Sequence, residues 1–160
     1  MTVLVSDNAS VDETPELLKT FQDSRLRVIR TPARCSMRAN WEYALSHVSD
    51  GWVTVIGDDD AILPGAHEMV QKIYAETGVE AIRSLTAFYK WPDKEHLGGL
   101  KIPLSRGYSV LKTSRELSRV MSGQKRYTIL PMLYNGGFIK VSALWRMALS
   151  NGTVFGGSIP

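Results

Sequence analysis

Short apolar strands alternate with amphipathic helices from Thr2 to Leu85, and no other feature constrains the fold as strongly. Thr2 to Val5 is β-branched and apolar on both faces, the pattern of a buried parallel strand. Thr14, Pro15 and Glu16 then supply a cap, a first helical position and an acidic first turn, with Leu17, Leu18 and Phe21 as the apolar face. Arg25 to Arg30 reads as a second strand, stopped by Thr31-Pro32. Met37, Trp41, Ala44, Leu45 and Val48 form one helical stripe ending at Asp50-Gly51. Trp52 to Ile56 is the third strand, Pro64 opens a helix with Met69, Val70 and Ile73 inward, and Val79 to Leu85 is the fourth strand. Such alternation predicts an α/β sandwich with a mostly parallel central sheet and right-handed crossovers that place helices on both faces.

Beyond residue 86 the pattern changes. Phe88 to Gly107 is rich in Gly, Pro and charge and reads as a lid-like excursion. Thr113 to Glu116 has the form of a capping box for a helix reaching Met121. Tyr134 to Val141 reads as a strand broken at Gly136-Gly137, and Ser142 to Leu149 as a last helix carrying Trp145 inward. A chain of 160 residues is the length of one domain. Residues 2–85 and residues 86–160 are its two differently patterned halves.

Composition narrows the function. Nineteen Lys and Arg against 16 Asp and Glu give a net charge of +3, too small an excess to argue for nucleic acid. The single cysteine, Cys35, excludes an internal disulfide and a cysteine-based zinc site, and fits a reducing, cytoplasmic setting. No apolar run approaches the ~18–20 residues of a membrane span, and the first residues lack the form of a signal peptide.

The chemistry lies at the strand ends. Ligands of open α/β sheets bind at the carboxyl edge. Asp7 follows the first strand, Asp58, Asp59 and Asp60 follow the third, and Arg30, Arg34 and Arg38 surround the end of the second. Three adjacent carboxylates repel one another unless something neutralises them. A hard divalent cation such as Mg²⁺ or Mn²⁺ does so and completes its shell with phosphate oxygens. Arginines take further phosphate oxygens. These residues therefore suggest a metal–diphosphate site. The other reading of the aspartates is capping of the helix at Pro64, and Asp7 serves an Asx-turn as readily as a ligand.

Val5 to Thr14 resembles the second-strand motif of family 2 glycosyltransferases of the GT-A fold. So do Leu26 to Pro32, Ser36-Met37 and Asn40-Trp41-Glu42, while Gly57 to Pro64 resembles the family's DXD-type metal motif. The resemblance implies an inverting transferase that moves sugar from a nucleotide-diphospho-sugar to a carbohydrate or lipid-linked acceptor, with a setting in surface polysaccharide or glycan synthesis. It implies that Asp7 and Asn8, with Arg34, Arg38 and Asp58, hold the donor, that Asp59, supported by Asp60, holds Mn²⁺ or Mg²⁺, and that residues 2–85 are the nucleotide-sugar- and metal-binding half and residues 86–160 the acceptor-side half. A uridine donor is the family's default, and peripheral membrane association of the full-length protein fits the setting. The family has a strand and helix before the Asp7 motif and a late general base. The chain is thus expected to be truncated at both ends, with its base beyond Pro160, and to be inactive alone.

Tyr89 and Trp91 offer aromatic faces suited to an acceptor sugar. Asp93 and Glu95 in the same stretch read as solvated charges or acceptor contacts. Arg115, Arg119, Lys125 and Arg126 read as a solvated face or an anion-binding one. Two other function classes fit parts of the pattern. Asp60 to Gly65 is similar to the segment after the phosphorylated Asp of a phosphoacceptor receiver domain, and a non-catalytic nucleotide-binding module would use the same acids.

Overall fold

The computed structural model describes residues 1–92, 98–101, 107–126, 130–134, 136–148 and 152–155. In chain order the elements are β1 (Val3–Asp7), α1 (Thr14–Lys19), β2 (Leu26–Arg30), α2 (Met37–Ser46), β3 (Trp52–Val53), α3 (Ala66–Thr77), β4 (Ala81–Arg83), β5 (Phe88–Lys90), β6 (Gly99–Lys101), α4 (Thr113–Met121), β7 (Gly137–Lys140) and α5 (Val141–Met147). They divide into two compact units, Met1–Gly51 with Val141–Pro160, and Trp52–Lys140.

In the first unit β1 and β2 pair in parallel, in register from Val3↔Leu26 to Asp7↔Arg30. The crossover through α1 permits this direction, since a tight turn would impose the antiparallel one. Helix α1 is only six residues long and buries none of them, and Leu17 and Phe21 are exposed. Of the expected apolar face only Leu18 is half-buried, and the helix stops at Lys19, before Phe21 can join its stripe. Helix α2 is capped by Ser36, whose Oγ accepts the Ala39 N–H at 3.2 Å. It buries Ala39, Glu42 and Leu45, so the buried face is rotated from the expected stripe and Met37 stays exposed. Val141, Ala143 and Leu144 of α5 are buried, whereas Trp145 lies on the exposed side of that seven-residue helix. Leu149, its expected end, lies outside the described residues.

The second unit holds a three-stranded sheet in the order β3-β7-β4. Strand β7 is antiparallel to both neighbours, pairing Trp52↔Lys140 and Ile82↔Phe138. Val55↔Tyr134 adds one parallel bridge. Strands β5 and β6 form a separate antiparallel pair. Among the described residues the ladders are therefore mixed, and only β1–β2 forms a parallel sheet. The long excursion after β4 brings the chain back in the opposite direction, a reversal that apolar patterning does not encode. A Cβ at Gly137 would run into the Met132 backbone, so glycine is required where β7 enters. Val70, Ile73, Leu133 and Ile139 are buried, while Met69, expected inward, is exposed. Trp52 stays half-buried and packs edge-on against Tyr74 at 5.7 Å.

Helix α4 follows Lys112 with no side-chain cap. Instead of closing a capping box, buried Glu116 pairs with Arg119 at 3.0 Å and Lys125 at 3.1 Å. The hydrogen bond from Lys125 leads the interactions that hold this carboxyl below its ordinary range. Two of the four cations expected on a solvated face are thus spent on an internal carboxylate.

Candidate functional site

The parallel register sets Asp7 and Arg30 side by side at the carboxyl ends of β1 and β2. Asp7 is buried, its side chain 2% exposed. Its Oδ2 accepts from the Arg30 guanidinium, and its Oδ1 accepts the Ser10 N–H at 2.9 Å. Arg30 also donates to the Ser10 carbonyl at 2.8 Å, and the Thr31 N–H donates to the Asp7 carbonyl at 3.0 Å. Burial by itself pushes the Asp7 carboxyl up, but the Ser10 hydrogen bonds and the Arg30 charge outweigh it and hold it below its ordinary value. Asp7 is therefore ionised at neutral pH. The Asx-turn geometry is present, and Ala9 within it adopts φ +51°, a left-handed conformation that non-glycine residues seldom take. A cleft of about 250 Å³ opens beside the pair, lined by Asp7, Pro15, Leu18, Lys19, Val28 and Arg30. That is the size of a ring system rather than a whole ligand, since small-molecule sites run to about 300–1,000 Å³.

Asn8 fastens the loop after β2. Its Nδ2 donates to the Cys35 carbonyl at 2.8 Å, and its Oδ1 accepts the Cys35 N–H at 2.9 Å and the Thr31 hydroxyl at 3.2 Å. Cys35 Sγ lies 3.2 Å from the same oxygen. Arg34 in this loop and Arg38 in the first turn of α2 are exposed, with no hydrogen bond or ion pair among the described residues. They are available to an anion.

The aspartate loop belongs to the second unit. Asp60 folds back so that its Oδ2 accepts the Gly57 N–H at 3.1 Å, while its own N–H donates to the Gly57 carbonyl at 3.3 Å. Asp58 and Asp59 are exposed. A Cβ placed on Gly57 would meet Asp59 Oδ1 at 2.7 Å, the Tyr134 hydroxyl at 3.2 Å and Asp60 Oδ2 at 3.3 Å. Three hard oxygens therefore surround one small space that glycine leaves open. The two carboxylates are hard oxygen donors, of the kind Mg²⁺ and Mn²⁺ take together with water and phosphate oxygens. Among the described residues, no group of three or more His, Cys, Asp or Glu side chains is placed to hold a metal ion by itself. Helix α3 begins after Gly65 with no side-chain cap, so the aspartates do not serve it as caps.

Tyr89 and Trp91 are exposed and meet edge to face at 4.9 Å. Asp93 and Glu95 lie outside the described residues. Sequence patterns did not single out Thr31 or Tyr134. Thr31 is visible only through the β1–β2 register, and Tyr134 only through its bridge to Val55.

An α/β chain with an ionised carboxylate at a parallel strand end and clustered aspartates after another strand has the parts of a nucleotide-sugar transferase. The family model "Glycosyl transferase family 2" matches residues 1–136 of the 160. The chain belongs to that family and to its GT-A class of α/β folds, and is a glycosyltransferase domain using a nucleotide-sugar donor and an acceptor. The match sets aside the receiver-domain reading. No curated protein and no solved structure matches the chain significantly. Among the described residues, no helix is long and apolar enough to cross a membrane.

Proposed function

We propose that the chain is the donor- and metal-handling part of an inverting, metal-dependent glycosyltransferase. It moves a sugar from a nucleotide-diphospho-sugar to a hydroxyl of a carbohydrate or lipid-linked acceptor, in cytoplasmic synthesis of surface polysaccharide or glycan. The observation that carries this reading is the set of oxygens from Asp59, Asp60 and Tyr134 around Gly57.

In this reading Asp59 and Asp60 hold Mn²⁺ or Mg²⁺, which when bound neutralises charge on the departing nucleoside diphosphate. Asp60 Oδ2 is already oriented by the Gly57 N–H, so the loop loses little freedom on loading. Asp58 meets the ribose. Asp7 and Asn8 bind the nucleoside, and Arg34 and Arg38 take diphosphate oxygens. A carboxylate has about four lone-pair sites, and Arg30 and Ser10 use one on each Asp7 oxygen, which leaves sites for a base N–H. Tyr89 and Trp91 present aromatic faces to the acceptor sugar. Inversion requires a general base for the acceptor hydroxyl, and none of the described residues is assigned that role.

Calorimetric titration tests the reading. Mn²⁺ should bind weakly alone and more tightly with UDP, GDP or dTDP present. Asp59→Asn should weaken the nucleotide-dependent binding about tenfold or more, at least the effect of losing a supporting group around a metal. Unchanged Mn²⁺ affinity in that variant overturns the metal assignment.

A further inference from the structure

Helix α2 carries a carboxylate that the proposed reaction does not use. Glu42 is fully buried, at 0% exposure. One oxygen, Oε1, accepts the backbone N–H of Phe155. The other, Oε2, is buried with no hydrogen-bond partner among the described residues. Burying a carboxylate oxygen unpaired is destabilising, and an aliphatic residue would avoid it. What the carboxylate supplies here is an acceptor for a chain segment that has come back from the far end of the sequence.

The neighbours of Glu42 make the attachment more than one bond. Trp41 packs against the Phe155 ring, with centroids 5.3 Å apart and planes at 58°. Thr153 in the same segment is buried. Two residues before Glu42, Asn40 Oδ1 accepts the Ser6 hydroxyl at 2.7 Å, and Ser6 immediately precedes Asp7. Asn40 and Glu42 are two positions apart and so roughly 200° apart around the helix. One side of α2 therefore holds the Asp7 end of β1, and the other holds residues 152–155.

We propose that Glu42 is a positioning residue: it fastens residues 152–155 to α2, and α2 links that attachment through Asn40 and Ser6 to Asp7. Docking of the segment and nucleotide binding at Asp7 then favour each other, as linkage requires of any two coupled events. This rests on the assignment of Asp7 to the nucleotide.

Hydrogen exchange on the full chain, read on a peptide containing Phe155, tests it with UDP, GDP and dTDP as probes, each with Mn²⁺. The bound nucleotide should slow exchange at residues 152–155 in the wild type. Glu42→Ala should speed that exchange without nucleotide and weaken nucleotide binding about fivefold or more, the lower end of usual couplings. Glu42→Gln keeps an acceptor for the Phe155 N–H and should restore both. Phe155→Pro removes the donor from the other side and should reproduce Glu42→Ala, which keeps the test open should the alanine variant fail to fold. Wild-type binding without slowed exchange, or wild-type affinity in both Glu42→Ala and Phe155→Pro, overturns the coupling. Wild-type chain that binds none of the probes overturns the Asp7 assignment and the coupling with it. The attachment itself falls separately if Glu42→Ala leaves Phe155 exchange unchanged without nucleotide.

Discussion

Asp7 and Arg30 are paired residues at the carboxyl ends of the parallel β1–β2 ladder, and an ion pair joins their side chains. The carboxylate is buried and the guanidinium is half exposed, so the pair has one costly member and one that water still supports. Ser10 completes the arrangement from both sides, donating its N–H to Asp7 and accepting Arg30 at its carbonyl.

The pair predicts a pH dependence. In the folded chain, against the opposing effect of burial, the Ser10 hydrogen bonds and the Arg30 charge hold the Asp7 carboxyl below its ordinary value. A depressed carboxyl contributes stability that is fully present above the unfolded value and lost as pH falls through the folded one. Asp7→Asn should therefore flatten the acid limb of the stability curve below about pH 4 while leaving its shape at neutral pH unchanged. Arg30→Ala leaves the buried carboxylate without its cation and should cost about 1–3 kcal/mol, read by urea unfolding at pH 7. Equal acid sensitivity of wild type and Asp7→Asn would remove the pair from the stability of the domain.

Asn8 predicts a change in thiol chemistry. Its amide makes bonds to both the N–H and the carbonyl of Cys35, besides facing the thiol. Asn8→Ala removes these together, and each net hydrogen bond is worth about 0.5–1.5 kcal/mol. The loop at residues 31–36 should loosen, and Cys35, now half-buried, should react faster with an aromatic disulfide reagent. Unaltered labelling kinetics would show that the loop is held by something other than Asn8.

Arg34 and Arg38 predict separation of stability from binding. Both are exposed and unpaired among the described residues. Replacing either with Ala should move stability by no more than about 0.5 kcal/mol, the usual range for surface sites. Nucleoside diphosphate affinity should nevertheless fall, and fall less at high salt, where exposed charges are screened. A loss of affinity independent of ionic strength would assign the arginines to folding.

Local signals carried much of the architecture. The start of α2 at Met37 and the first two strands were legible because each is decided within a few residues. Strand direction was not legible in the same way. Nothing in Gly137 to Lys140 shows that it runs antiparallel between β3 and β4, since that depends on the path of the preceding excursion. Helix faces shifted where elements were short: six residues in α1 leave too little length for Leu17 and Phe21 to share a buried stripe. At the site, the acids and arginines were visible as residue types, but their partners were not. That Arg30 rather than Arg34 or Arg38 meets Asp7 follows from register, and that Glu42 turns inward to Phe155 follows from a contact spanning 113 positions.

Gly57 gives the sharpest test of the proposed metal site, because its variant adds one methyl group and removes neither carboxylate. The backbone at Gly57 is not in the left-handed region, so alanine imposes no conformational strain there. The added Cβ would come within 2.7 Å of Asp59 Oδ1, too close for either to stay, and would crowd Tyr134 and Asp60 at 3.2 and 3.3 Å. Asp59 lies on an exposed loop and its carboxylate can swing away, so the fold should lose no more than about 1 kcal/mol. At the proposed site a cation would need Asp59 and Asp60 to point at a common space, which a displaced Asp59 no longer does. Gly57→Ala should therefore leave thermal unfolding of the metal-free chain nearly unchanged and weaken nucleotide-dependent Mn²⁺ binding about tenfold, as misoriented ligands do. Calorimetry with UDP, GDP or dTDP present, beside a melting curve without metal, reads the two effects separately. A variant that binds Mn²⁺ as tightly as the wild type would place the cation away from Gly57.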